Sequence, residues 1–140
     1  EKVLNEHWVS MHTEKAEMID WLKQLKKQNY KIYLFSNCAQ ETYEYLKTLS
    51  FYLYIDDGAY SFEEHLCKPE KEIYSYLFQK CAIKPEESIF IDDNVENIKQ
   101  SIQCGMNGII FKNIEDAKKR LRDIIEKEVK NESKKRNRSI

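Results

Sequence analysis

Two adjacent carboxylates, Asp92 and Asp93, close the apolar run Ile89-Phe90-Ile91 and are followed by Asn94, Glu96 and Asn97. Ionised neighbours about 4 Å apart repel by roughly 4 kcal/mol at an effective dielectric near 20, so such a pair calls for a cation or a raised pKa. Mg2+ meets the need with hard oxygen chemistry: one or two carboxylates, water and substrate phosphate. Taken alone, the pair reads equally as a strand stop and a cap for the next helix. Two other groups extend the set. Lys31-Ile32-Tyr33-Leu34-Phe35 has the pattern of a buried strand and ends in Ser36-Asn37, and Lys68 precedes Pro69, a residue suited to the first position of a helix. A hydroxyl and an amide at one strand end, an ammonium at a helix start and two acids at a second strand end are the parts of a phosphoryl-binding site. In an open α/β sheet these ends converge on one crevice.

The ordered set resembles the haloacid dehalogenase (HAD) superfamily, in its epoxide-hydrolase-N-terminal-like phosphatase branch (subfamily IA), over about residues 13 to 112. Tyr33-Leu34-Phe35-Ser36-Asn37 is similar to that family's second motif, Lys68-Pro69 to the third, and Phe90-Ile91-Asp92-Asp93-Asn94-Val95-Glu96-Asn97 to the fourth. The resemblance implies that Ser36 and Asn37 meet the phosphoryl group and that Lys68 neutralises its charge. It implies further that Asp93, with Asp92, holds Mg2+, that Asn97 supports the site, and that a small phosphomonoester is hydrolysed through an aspartyl-phosphate. Replacing Lys68 is then expected to cost turnover and little stability.

The family's first motif, an Asp-x-Asp after the first strand, supplies the nucleophile, and this chain contains no Asp-x-Asp. Asp20 falls in a helical pattern. Tyr54-Ile55-Asp56-Asp57-Gly58 imitates a strand ending in acids but lies between Ser36 and Lys68, where the resemblance implies an ordinary loop. The chain opens at Glu1 in what reads as a helix (Val3, Leu4, His7, Trp8, Met11), so a fragment is expected: residues 1–12 a remnant of a helical cap, 13–130 a partial α/β core, 131–140 a polar, basic, disordered tail. The expected fold is a Rossmann-like parallel sheet with helices on both faces, lacking the first-motif strand and most of the cap. The strands ending at Phe35 and Ile91 would then face each other across an empty slot. The alternatives are a non-catalytic phosphate-binding pseudoenzyme and a HAD phosphomutase or dehalogenase. A signalling receiver domain also uses two acids, a Ser/Thr and a Lys, but in an order opposite to this one.

The bounds from composition are broad. The chain has 140 residues, 41% of them hydrophobic, and a net charge of −1, enough for one modest core and no argument for nucleic acid or anionic surfaces. The four cysteines (Cys38, Cys67, Cys81, Cys104) form no Cys-x-x-Cys, and the three histidines have no ligand spacing. A reduced, cytoplasmic setting without membrane or nucleic-acid partners is the expectation; nothing bears on oligomeric state.

The positioning elements alternate. Thr13 can cap a helix with Met18, Trp21, Leu22 and Leu25 at i, i+3, i+4 and i+7, stopped at Asn29. A helix over 40–49 precedes a short aromatic strand over 51–55. A helix from Pro69 carries Ile73, Tyr74, Leu77 and Cys81, and a strand over 88–91 leads into a stripe of Val95, Ile98 and Ile102 ended by Gly105. A strand over 108–111 and a helix over 114–128 complete the series. Strand-helix alternation implies a parallel sheet covered on both faces.

Overall fold

In the computed structural model, residues 2–5 and 16–138 are described, with side chains described over 16–134. Five strands form one wholly parallel sheet: β1 (Lys2–Asn5), β2 (Ile32–Ser36), β3 (Asp57–Tyr60), β4 (Ile89–Asp92) and β5 (Asn107–Ile110), in the order β3-β2-β1-β4-β5. The helices are α1 (Ala16–Lys27), α2 (Gln40–Leu46), the single turn α3 (Ser61–Glu64), α4 (Lys71–Cys81), α5 (Val95–Gln103) and α6 (Ile114–Arg138).

Strand alternation sorts the core into two layers. Ile32, Leu34, Ile89 and Ile91 point to one face and pack with Trp21 and Leu22 of α1 and Leu121 of α6. Tyr33, Phe35 and Phe90 point to the other and pack with Ile73, Tyr74 and Leu77 of α4 and Ile98 of α5. The predicted α1 stripe of Met18, Trp21, Leu22 and Leu25 is buried throughout. Asn29 stands at φ 67 and Gly105 at φ 95, the left-handed stops that the sequence places after α1 and α5.

Four expectations differ from the structure. Val3 and Leu4 belong to a strand, not a helix: Lys2 pairs with both Ile32 and Ile89, and Leu4 with both Leu34 and Ile91, so β1 fills the slot expected to stand empty. Unmade backbone hydrogen bonds in a buried sheet cost about 1–3 kcal/mol each, and four residues of extended chain make those of β2 and β4. The rest of the expected cap remnant (Glu1 and residues 6–12), and Thr13, lie outside the described residues. The aromatic segment is a 3-10 turn over Ser50–Tyr54, and the strand follows it at Asp57–Tyr60. There Gly58 is required, since a Cβ would collide with the Leu34 carbonyl and the Tyr60 phenol. On α5, Val95 and Ile102 are 45% and 55% exposed, and the buried face runs through Asn97, Ile98 and Ser101 instead. Finally, α6 continues to Arg138, through most of the stretch expected to be a disordered tail.

Candidate active site

β2 and β4 lie on either side of β1, and their C-terminal ends carry Ser36 and Asp92. The chain runs outward from β1 to β3 on one side and returns to β4 on the other, so these ends flank the topological switch point, where open α/β sheets bind ligands. Lys68 arrives from the segment between α3 and α4. Its predicted place at a helix start is corrected by one turn: Glu70 N–H donates to the Cys67 carbonyl at 2.9 Å, leaving Lys68 and Pro69, joined by a cis peptide bond, in the middle of a turn. α4 starts only at Lys71.

Asn37 clamps that turn to β2. Its Oδ1 accepts from the Lys68 N–H at 2.8 Å, and its Nδ2 donates to the Lys68 carbonyl at 3.1 Å. These two bonds position Lys68 against the end of β2 and use one donor and one lone pair of the amide. Lys68 Nζ donates to the Phe35 carbonyl at 2.9 Å and to Asp92 Oδ2 at 3.4 Å, in a pair whose side chains are 2% and 0% exposed. The same ammonium lies 5.0 Å and 5.3 Å from the ring centroids of Phe35 and Phe90, within cation–π reach.

Asp92 and Asp93 part company. Asp92 is buried, and both its oxygens are engaged: Oδ1 accepts from Asn94 N–H at 2.7 Å, and Oδ2 from Asn97 Nδ2 at 3.0 Å as well as from Lys68. Burial pushes its carboxyl above the ordinary carboxylate range, although Lys68, Asn94 and Asn97 all pull the other way. Asp93, next along the chain, is exposed at the rim. Asn94, to which sequence reading gave no role, caps α5 by accepting from Glu96 and Asn97 N–H at 2.9 Å and 3.2 Å. Its signal was present as an Asn directly before a helical stripe. Asn97 is thus held at its backbone by Asn94 and presents its amide to Asp92.

The Ser36 hydroxyl is buried, and among the described residues it is the one buried side-chain polar atom without a hydrogen-bond partner. Such an atom costs about 1–3 kcal/mol unless something else bonds it. An orphaned hydroxyl at the strand end and a buried ammonium suit an oxyanion. Hard oxygen donors at Asp93 suit Mg2+ in kind, but no cluster of three His, Cys, Asp or Glu that could hold a metal occurs among the described residues. The decoy acids are structural: Asp56 Oδ2 accepts from Ile32 N–H and from Lys26 Nζ, both at 2.7 Å, and Asp57 accepts from the Gly58 N–H at 2.8 Å. Both sit at the start of β3, away from the strand ends that carry the site. A groove of about 240 Å³ lined by Tyr30, Ile89, Asn107, Ile125 and Val129 also lies at the N-terminal ends of the strands.

Comparison with known proteins agrees with this fold. The chain is 28% identical over 95 residues to a sesquiterpene phosphatase of Aspergillus oryzae, covering 67% of this chain and 48% of that protein. It is 37% identical over 57 residues to a flavin mononucleotide hydrolase of Arabidopsis thaliana, covering 41% of this chain and 23% of the relative. A HAD family enzyme of Bacteroides thetaiotaomicron, solved in complex with magnesium and inorganic phosphate, superposes with TM-score 0.61 at 27% identity, over 69% of this chain and 52% of its own. An uncharacterised protein of Corynebacterium glutamicum shares the fold over 86% of this chain and 90% of its own, with TM-score 0.75 at 16% identity. The chain therefore spans about half the length of the fungal and Bacteroides relatives. A profile described as haloacid dehalogenase-like hydrolase matches residues 5–105, and with the parallel sheet and its three motifs in order, the chain belongs to the haloacid dehalogenase-like hydrolases.

Proposed function

We propose that this chain is the C-terminal part of a Mg2+-dependent phosphatase that hydrolyses a small phosphomonoester through an aspartyl-phosphate, with the nucleophile supplied from outside these 140 residues. The observation that carries the reading is the buried, unpartnered Ser36 hydroxyl at the same strand ends as the buried Lys68 ammonium. A transferring phosphoryl group spreads negative charge over its oxygens, and catalysis is mostly positioning and charge stabilisation. Ser36 donates to one of those oxygens, and Lys68, fixed by Asn37, Phe35 and Asp92, supplies fixed positive charge. Asp93 is the first carboxylate ligand for Mg2+. Asp92 acts behind it, holding Lys68 and Asn97 in place, and the ion when bound neutralises phosphate charge. The named activities of the fungal and plant relatives, both on phosphate esters, support phosphate over halide chemistry. Among the described residues no helix is long and apolar enough to cross a membrane.

The test uses a longer protein in which this chain is preceded by an Asp-x-Asp strand that takes the central place β1 holds here, between β2 and β4. It should hydrolyse p-nitrophenyl phosphate with Mg2+ and stop on adding EDTA; undiminished hydrolysis without metal would refute the assignment. Asp93→Asn should weaken Mg2+ affinity more than Asp92→Asn, measured on folded protein by calorimetry.

A further inference from the structure

Asn37 and Lys68 already tie the Lys68 turn to β2 and β4, but no contact described so far joins α4, the helix that follows that turn, to α5. Tyr74 does. It is fully buried on α4, the helix that begins directly after the Lys68 turn. Its hydroxyl donates at 2.7 Å to the carbonyl of Asn97, in the first turn of α5. Asn97 in turn gives its side-chain amide to Asp92, which accepts from Lys68. On its other side the Tyr74 ring stands edge-on to Phe35, with centroids 5.1 Å apart at 83°, and to Phe90, 6.2 Å apart at 85°. These are the two rings beside which the Lys68 ammonium sits. One side chain therefore touches β2, β4 and α5 while standing on the helix that follows Lys68.

A phenylalanine would fill the same space against Phe35 and Phe90. The hydroxyl adds only the bond to Asn97, and a buried hydroxyl is tolerated only where it is satisfied. Edge-on packing also fixes the tilt of a ring, because the positive edge of one aromatic meets the negative face of the next. The hydroxyl thus sets the distance between α4 and the first turn of α5, and the ring sets the orientation of the two aromatics that seat the ammonium.

We propose that Tyr74 is a positioning residue of the phosphoryl site, which through the Asn97 carbonyl and the rings of Phe35 and Phe90 fixes Lys68 relative to Asp92 and Asn97. The inference rests on the phosphate-site reading given above. It goes beyond it by assigning a role to a residue that touches neither phosphate nor metal.

The experiment uses the 140-residue chain with inorganic phosphate and Mg2+ as the probe, read by calorimetry, together with the side-chain amide signal of Asn97 in a nitrogen-15 spectrum. Tyr74→Phe should leave the chain folded, displace the Asn97 amide signal and weaken phosphate binding about tenfold, the low end for removing a residue that orients direct ligands. Tyr76→Phe, which removes a hydroxyl from the same helix away from the site, should do neither. A merely structural Tyr74 would lower the melting temperature and leave both readouts of the folded protein alone. Phosphate affinity within twofold of the unsubstituted chain, with the Asn97 signal unmoved, overturns the inference and leaves the site reading intact. Absence of phosphate binding by the unsubstituted chain overturns both. Should Tyr74→Phe fail to fold, Phe90→Leu carries the test: it removes one of the two rings between Tyr74 and Lys68, and unchanged affinity in that variant equally refutes the role.

Discussion

Replacing Lys68 by Met should destabilise this chain by about 3–4 kcal/mol at pH 7, contrary to the expectation from sequence that stability would barely change. The side chains of Lys68 and Asp92 are 2% and 0% exposed, so the substitution leaves a buried carboxylate without its ammonium. Breaking one partner of a buried ion pair costs about 3–5 kcal/mol. Protonation offers an escape: neutralising a carboxyl of ordinary pKa 3.8 at pH 7 costs about 4 kcal/mol, and less here because burial has already raised Asp92. The cheaper route sets the loss, a large part of the roughly 5–15 kcal/mol that holds a domain together. The sign with pH follows from linkage. In the variant, the folded-state pKa of Asp92 lies well above its unfolded value. The stability of the neutral form is therefore fully present below the unfolded value and is lost as pH rises through the folded one. The deficit should accordingly shrink from pH 7 to pH 4.5. Urea unfolding followed by circular dichroism in EDTA measures it at both, and adding Asp92→Asn to Lys68→Met should recover at least half of the loss. A deficit under about 1 kcal/mol at pH 7, or one equal at both pH values, would refute the argument that this pair is buried and coupled.

Ser36→Ala should leave the metal-free chain as stable or slightly more so, because it removes an unsatisfied hydroxyl, while weakening phosphate binding; thermal melts with and without phosphate separate the two effects. Asn94→Ala removes the acceptor for two amides at the start of α5 and should cost about 1 kcal/mol in urea unfolding, with Asn94→Asp recovering most of it. Cys67 is exposed, yet its thiol is held above its ordinary range, first by the hydrogen bond to Glu70. At pH 8 iodoacetamide should therefore modify it more slowly than a free thiol, and Glu70→Gln should raise the rate, as followed by mass spectrometry.

What could be read from the residues was whatever depended on periodicity and local chemistry. The i, i+3, i+4 stripe of α1 and the left-handed stops at Asn29 and Gly105 are properties of short windows, and the parallel sheet follows from strand-helix alternation along the chain. The strand-end placement of Ser36 and Asp92 was legible for the same reason: an apolar run that ends in polar residues. Only the family resemblance put Asp93 before Asp92 as the metal ligand, because adjacency in sequence says nothing about which carboxylate the fold turns inward. The role of Asn37 depends on the Lys68 turn, 31 residues away, and that of Tyr74 on an acceptor in α5. Neither spacing leaves a mark in either segment alone. β1 was misread because Val3, Leu4, His7, Trp8 and Met11 match a helical period, whereas the vacancy between β2 and β4 is a tertiary demand that overrides it.

That central strand also orders the events of folding. Lys2 must find Ile32 across about 30 residues and Ile89 across nearly the rest of the domain, and with closure entropy growing as the logarithm of loop length the second contact costs roughly 1 kcal/mol more than the first. On this ground pairing of β1, β2 and β3 should precede the docking of β4 and β5, with the long-range seam slowing folding as non-local pairing does in general. The proposed phosphoryl site straddles that seam, with Ser36 on the half expected to form early and Asp92 on the half expected to arrive late. Under native conditions the amides of Phe90 and Ile91 should exchange at lower opening free energy than those of Leu34 and Phe35, so that the two halves of the anion site part before either half unfolds.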